Sequence, residues 1–205
     1  MERGRLIVFD GGDGAGKGTV LKSLQEYFPE PKTLFTREPG GTPLSDKIRD
    51  VILSDLASDA SAETLLALYF ASRSDHVEKK IEPALASGIN VITDRYDSSS
   101  AAYQLRAMEG VHLRHLFNQM RGLYCRRAIP YLYVYIDIDP LEGMRRVKGR
   151  TDENHLDRRQ LDFHAAVRAG YLDFLSCYPH RIVDGGQSQE AVFQECLKIV
   201  HNALD

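Results

Sequence analysis

Short apolar runs along this chain alternate with longer stretches in which apolar residues recur every three or four positions. The runs Leu6–Asp10, Thr33–Thr36, Ile89–Thr93, Tyr131–Asp137 and Arg181–Val183 have strand length and strand composition. Helical spacing covers Lys17–Tyr27, Pro43–Leu53, Ala62–Ala86, Ser98–Arg106, Leu113–Cys125, Pro140–Val147, Gln160–Cys177 and Gln189–Ala203. Apolar strands separated by helices predict an α/β fold with a mostly parallel five-stranded sheet, covered by helices on both faces. No repeat, low-complexity tract or linker interrupts the pattern, so one domain over residues 1–205 is expected. Thr42-Pro43 and Asp139-Pro140-Leu141-Glu142 each place a capping side chain before a proline that opens a helix. Gly88 is expected to end the long third helix.

Composition narrows the partners. A net charge of −3 supplies no general positive field for nucleic acid or an anionic membrane. Cys125, Cys177 and Cys196 are odd in number and lack metal-ligand spacing, which suits reduced thiols in a cytoplasmic protein. The chain enters its first strand almost at once, so no signal sequence is expected, and no apolar run is long enough to span a bilayer.

The first strand runs into Asp10-Gly11-Gly12-Asp13-Gly14-Ala15-Gly16-Lys17-Gly18-Thr19, and a helix follows. Glycines let successive N–H groups point at a polyphosphate, and the helix N-terminus adds positive potential. Gly11, four residues, then Gly16-Lys17 fits a phosphate loop whose lysine reaches the β- and γ-phosphates. The hydroxyl that usually follows the lysine and meets Mg²⁺ is displaced by one position, from Gly18 to Thr19.

Ligands of open parallel sheets sit at the carboxyl ends of the strands. There the chain places the phosphate loop, Arg37-Glu38-Pro39-Gly40-Gly41, Asp94-Arg95-Tyr96 and Asp137-Ile138-Asp139. Asp94 is placed to hold Mg²⁺, directly or through water, while Arg37 and Arg95 are candidate phosphate clamps. A basic stretch, Arg145, Arg146, Lys148, Arg150 and then Arg158-Arg159, suggests a lid over about 148–159, with Arg150, Lys148 and Arg146 as its active cations. Phe70 and Arg73 share a helix face. Spacing alone leaves Tyr69 and Phe70 as core residues, with a nucleobase pocket of Phe70 and Arg73 as the alternative. His112 and His115 lack a third ligand, and no nucleophile–histidine–acid constellation is visible.

Taken together, these segments resemble the thymidylate kinases over nearly the whole chain. The similarity is carried by Gly11–Thr19, by Phe35-Thr36-Arg37-Glu38-Pro39-Gly40-Gly41-Thr42-Pro43-Leu44, and by Tyr69-Phe70-Ala71-Ser72-Arg73. Asp94-Arg95-Tyr96-Asp97-Ser98-Ser99, Ala102-Tyr103-Gln104, Leu161-Asp162-Phe163-His164 and Arg168-Ala169-Gly170-Tyr171 extend it. The resemblance implies a P-loop nucleoside monophosphate kinase fold with a lid. It implies transfer of the γ-phosphoryl of ATP to dTMP with Mg²⁺, on the route to dTTP, by a homodimer.

Carried onto this chain, the loop from Gly11 through Gly12, Asp13, Gly14, Ala15, Gly16, Lys17, Gly18 and Thr19 would hold ATP, with Arg146 and Lys148 helping from the lid. Asp13 would accept from the 3′-hydroxyl of dTMP, and Arg37 and Arg95 would bind its phosphate. Phe70 would stack on thymine, Arg73, Ser100 and Gln104 would meet its polar atoms, and Tyr103 would crowd a 2′-hydroxyl. The basic lid resembles the bacterial form, with Arg150 as its catalytic arginine beside Lys17, Asp13 and Arg95. The chain departs from the family at Gly18-Thr19, at Leu105–Gly110 after Gln104, and at Asn154-His155-Leu156-Asp157 in the lid. A kinase of another deoxynucleoside monophosphate, or a nucleotide switch without fast chemistry, are the alternatives. A GTP switch would need an Asn-Lys-x-Asp segment, which this chain lacks.

Overall fold

The apolar run that opens the chain becomes the centre of the sheet. In the computed structural model, which describes residues 2–148 and 155–204, β1 (Leu6–Gly11) pairs with β3 (Asn90–Asp94) on one side and β4 (Leu132–Asp137) on the other. β2 (Thr33–Arg37) and β5 (His180–Asp184) complete the order β2-β3-β1-β4-β5, and every pairing is parallel. Alternate side chains of β1 feed two cores, as a period of two requires. Leu6 and Val8 pack with Phe70, Val167, Tyr171 and Leu175 on one face. Ile7 and Phe9 pack with Val20, Leu24, Val192, Cys196 and Val200 on the other.

The helices are α1 (Lys17–Tyr27), α2 (Pro43–Leu53), α3 (Ala62–His76), α4 (Glu82–Ala86), α5 (Asp97–Ser100), α6 (Arg114–Tyr124), α7 (Pro140–Val147), α8 (Leu161–Leu175) and α9 (Gln189–Leu204). The single helix expected over Ala62–Ala86 is divided. Between α3 and α4 the turns widen over Val77–Ile81, and the Glu82 N–H bonds back to the Val77 carbonyl five residues earlier. Pro83 follows at the start of α4 and has no N–H to continue the ladder. The helix expected over Ser98–Arg106 likewise widens after α5, over Ala101–Ala107. That widened segment carries Tyr103 and Gln104.

Register then builds the site. Arg37 lies level with Asp94, Asp94 with Phe9, and Gly11 with Ile136. The charged residues that follow the strands therefore emerge along one edge.

Candidate active site

The phosphate loop is seated on α7. Gly14 and Gly16 have φ of +77° and +86°, and a Cβ at Gly14 would stand 2.2 Å from the Gly143 carbonyl oxygen. Only glycine fits there without strain. Gly12 through Thr19 line a cleft of about 930 Å³, which Arg146 borders from α7. Arg146 is held by Glu142 (3.1 Å) and by the Gly185 carbonyl (3.0 Å). Gly11 lies beneath the cleft in β1, and Lys148 stands exposed beyond the end of α7.

Lys17 Nζ lies 3.6 Å from Asp94 Oδ1. Burial, and then the repulsion of Arg95, pull the Lys17 ammonium below the usual lysine range. The Asp94 oxygen is buried and accepts no hydrogen bond. A carboxylate oxygen that meets only the Lys17 ammonium, at ion-pair distance, and sits beside a phosphate loop has the hard-oxygen chemistry a divalent cation needs. Among the described residues no cluster of three His, Cys, Asp or Glu surrounds it. A cation there would take its other ligands from phosphate, from water or from the Thr19 hydroxyl, which also lines the cleft.

A second cavity, of about 150 Å³, opens on the other side of Asp13, and Asp13 lines both. Arg95 forms its floor from a left-handed backbone conformation with φ of +68°. Its guanidinium donates to the Tyr171 hydroxyl (2.7 Å) and to Asp13 Oδ1 (3.1 Å), and lies 5.3 Å from the Tyr103 ring centre. Tyr103 donates to the other Asp13 oxygen at 3.4 Å. Gln104 is buried in the wall, and neither its amide nitrogen nor its oxygen has a partner. Arg73 is 1% exposed and donates to Glu38 (2.7 Å), Ser100 Oγ (3.2 Å) and the Tyr96 carbonyl (2.8 Å) while still lining the cavity. The combination is a phosphate-binding loop, one shared carboxylate and a polar-walled pocket.

A thymidylate kinase family model matches residues 9–196. The thymidylate kinase of Clostridium novyi is 38% identical over 203 residues, covering 95% of this chain and 97% of that protein. That of Carboxydothermus hydrogenoformans is also 38% identical, over 94% of this chain and 95% of its own length. The chain belongs to the thymidylate kinase family. The crystal structure of thymidylate kinase from Ehrlichia chaffeensis superimposes with a TM-score of 0.74 at 26% identity, over 97% of this chain and 99% of that one. The family's P-loop nucleoside monophosphate kinase architecture is thus the one the sheet order displays.

Against this family scaffold, several expected positions shift. Phe70 does share a face with Arg73, whose guanidinium lies 4.8 Å from its ring centre. That face turns inward, and Phe70 is fully buried against Phe117 and Tyr124. The aromatic that lines the cavity is Tyr69, one position earlier and four before Arg73. Ser100 stands behind Arg73 as its acceptor, and Ser99 lines the cavity instead. Arg37 is largely exposed, 3.7 Å from Asp46, and opens onto a depression beside Gly18 and Asp94 rather than onto the cavity floored by Arg95. Arg150 lies outside the described residues. The part of the expected lid that follows it touches the end of α2 and the turn beyond: His155 Nε2 is 3.0 Å from the Ile52 carbonyl, and Arg158 is 2.6 Å from Asp55.

Two residues of the site have no role in the sequence reading: Arg49, which is not named there, and Tyr171, which is named only within a family segment. Arg49 lines the cavity and donates to the Pro39 carbonyl at 3.0 Å. Asp46, three residues earlier on the same face of α2, accepts from the Gly41 N–H. That charged pair facing the Pro-Gly-Gly loop was the available signal. Tyr171 is 76 residues from Arg95, and no local pattern joins them.

Asp10, fully buried at the end of β1, completes the network. It accepts from the Ser98 and Ser99 hydroxyls, and Ser99 also bonds the Tyr171 hydroxyl at 2.7 Å. Burial pushes its carboxyl up to about 6 from an ordinary 3.8. The folded chain therefore binds this proton more tightly than the unfolded one, and between those pH values the contribution of Asp10 to stability falls as pH rises. Above about pH 6 the buried charge costs on the order of 3 kcal/mol. Asp10→Asn is expected to raise the thermal midpoint relative to the parent more at pH 8 than at pH 5. An equal shift at both pH values would mean that Asp10 does not titrate in this window.

Proposed function

We propose that this chain transfers the γ-phosphoryl of ATP to dTMP, giving ADP and dTDP. The observation that carries the reading is Gln104: a buried, unpartnered amide beside the donor edge of Arg73, in a cavity that meets the phosphate loop at Asp13. An amide can accept from N3–H and donate to O4 of thymine, while an arginine only donates. Cytosine offers the reverse pattern at positions 3 and 4, so Arg73 would face a donor. Tyr69 takes the place expected of Phe70, with its ring toward the base.

In this reading Lys17 and the loop amides hold the β- and γ-phosphates, Arg95 holds the acceptor phosphate, and Asp13 accepts from the 3′-hydroxyl. The attacking oxygen belongs to an already ionised phosphate, so alignment and charge neutralisation carry the reaction without a general base. Asp94, with Thr19, would hold Mg²⁺, whose charge offsets that of the phosphate oxygens when bound. Lys148 and Arg150 belong to a lid over about 148–159, with Arg146 at its base, and Arg150 would supply the remaining positive charge. Three unpaired thiols suit a reducing, cytoplasmic setting. Exposed Leu44 and Val51 on α2, with Leu116 and Leu123 on α6, support a homodimer.

The test is ADP release in the presence of ATP, Mg²⁺ and each of dTMP, dUMP, dCMP, dGMP and AMP. Stimulation is expected to rank dTMP above dUMP, with dCMP and the purines near background. The 5-methyl group of thymine is worth about 10–200-fold at most, so dUMP is the nearest rival. Slow ATP turnover indifferent to every acceptor would support the nucleotide-switch alternative instead. Tyr103→Ala is expected to narrow the preference for dTMP over its ribonucleotide counterpart, measured as a ratio of kcat/KM. An unchanged ratio would remove Tyr103 from sugar selection.

A further inference from the structure

Behind Arg73 a chain of contacts starts at Glu38, which also lines the cavity, and runs back through His76 to Thr36. Glu38 takes the Arg73 Nε–H on one carboxylate oxygen at 2.7 Å. Its other oxygen lies 3.1 Å from His76 Nδ1, and His76 Nε2 lies 2.7 Å from Thr36 Oγ1. His76 is fully buried and Glu38 nearly so. Backbone closes the far end: a Cβ on Gly41 would stand 2.5 Å from His76 Nε2 and 2.7 Å from Thr36 Oγ1. With its proton on Nδ1, the imidazole donates to Glu38 and accepts from Thr36, which leaves each atom of the chain satisfied.

We infer that His76 is a positioning residue for recognition of the acceptor base, acting through Glu38 on Arg73. The terminal torsion of a glutamate is broad, so one bond to Arg73 leaves the carboxylate plane undetermined. The second bond, from His76, fixes that plane. The Glu38 carboxylate then fixes the guanidinium, together with Ser100 and the Tyr96 carbonyl. A guanidinium held in one plane presents its remaining hydrogens to the cavity in one direction, and discrimination between bases depends on that direction. The inference rests on the reading that the 150 Å³ cavity holds the acceptor's base.

The experiment compares His76→Ala, His76→Asn and Thr36→Val with the parent enzyme, by steady-state kinetics with dTMP and dCMP and by thermal melting. His76→Ala is expected to raise the KM for dTMP about tenfold, as loss of a bond to a buried charge does. It is expected to reduce the dTMP-over-dCMP preference while the KM for ATP moves less than about twofold. His76→Asn, which returns an N–H near the Nδ1 position, is expected to recover most of the loss, and Thr36→Val to show a smaller loss of the same kind. Parallel changes in both KM values and the melting midpoint, with the acceptor preference intact, would overturn the inference. Should the alanine variant not fold, an unchanged preference in both other variants overturns it equally. If the parent enzyme itself prefers another nucleoside monophosphate, the functional reading fails, and the same ratio taken for that acceptor decides the role of His76.

Discussion

Lys17→Met is expected to lower kcat by about 10³-fold, at the upper end of what loss of one well-placed charge donor costs. The structural reason is that Lys17 is held where water is scarce. Its ammonium is buried deeply enough to be pulled below the usual lysine range, and its neighbours are Asp94 at 3.6 Å and the guanidinium of Arg95. A charge kept in such surroundings interacts more strongly with developing charge on phosphate oxygens than one in bulk solvent. The same burial makes the empty site costly to maintain, so the variant's thermal midpoint is expected to stay level or rise. Asp94 is a third exposed as a side chain, so its carboxylate stays partly hydrated when Lys17 is removed, although Oδ1 itself is buried. Rate and melting point should therefore separate. A kcat within tenfold of the parent would remove Lys17 from transition-state stabilisation, and a matching fall in stability would make it a structural residue.

How much of this was legible in the sequence depended on whether a local cause fixed each feature. The central strands β1, β3 and β4, buried on both faces, announce themselves as apolar runs, and each of the five strands begins and ends within one residue of its run. Helix starts with a local cap were equally readable. Thr42 accepts from the Ser45 N–H, and Asp139 accepts from those of Leu141 and Glu142. The division of the long helix was not readable, because Pro83 signals that the ladder must yield without saying that it widens over Val77–Ile81. Helical spacing placed Phe70 and Arg73 together, correctly, yet spacing is silent on which face meets the cavity. Arg73 is long enough to serve both sides, with Phe70 beneath its guanidinium and Tyr69 beside it in the cavity wall. Family resemblance supplied the chemistry of the site. Only the fold could supply the contacts of Arg95 with Tyr171 and of Glu38 with His76, which join residues distant in the chain.

Those distant contacts make Arg95 the position where charge and geometry can be told apart. Arg95→Met is expected to lower kcat/KM for dTMP by about 10³-fold with little change in the KM for ATP. Two losses combine in that figure. In the function proposed above the acceptor phosphate loses its clamp, and Asp13 loses the 3.1 Å bond that holds its carboxylate between the two cavities. Arg95→Lys separates them, because an ammonium keeps the charge but cannot reach Tyr171 and Asp13 together in the planar fork that a guanidinium provides. The lysine variant is accordingly expected to recover only about tenfold of the loss, chiefly in KM. Full recovery would mean that the site needs only a positive charge, and the network running from Asp10 through Ser99 and Tyr171 would then have no catalytic consequence. Partial recovery that Tyr171→Phe reduces the parent enzyme to would show the opposite: the aromatic hydroxyl sets the direction of the guanidinium, and that direction aligns the acceptor phosphate with the triphosphate.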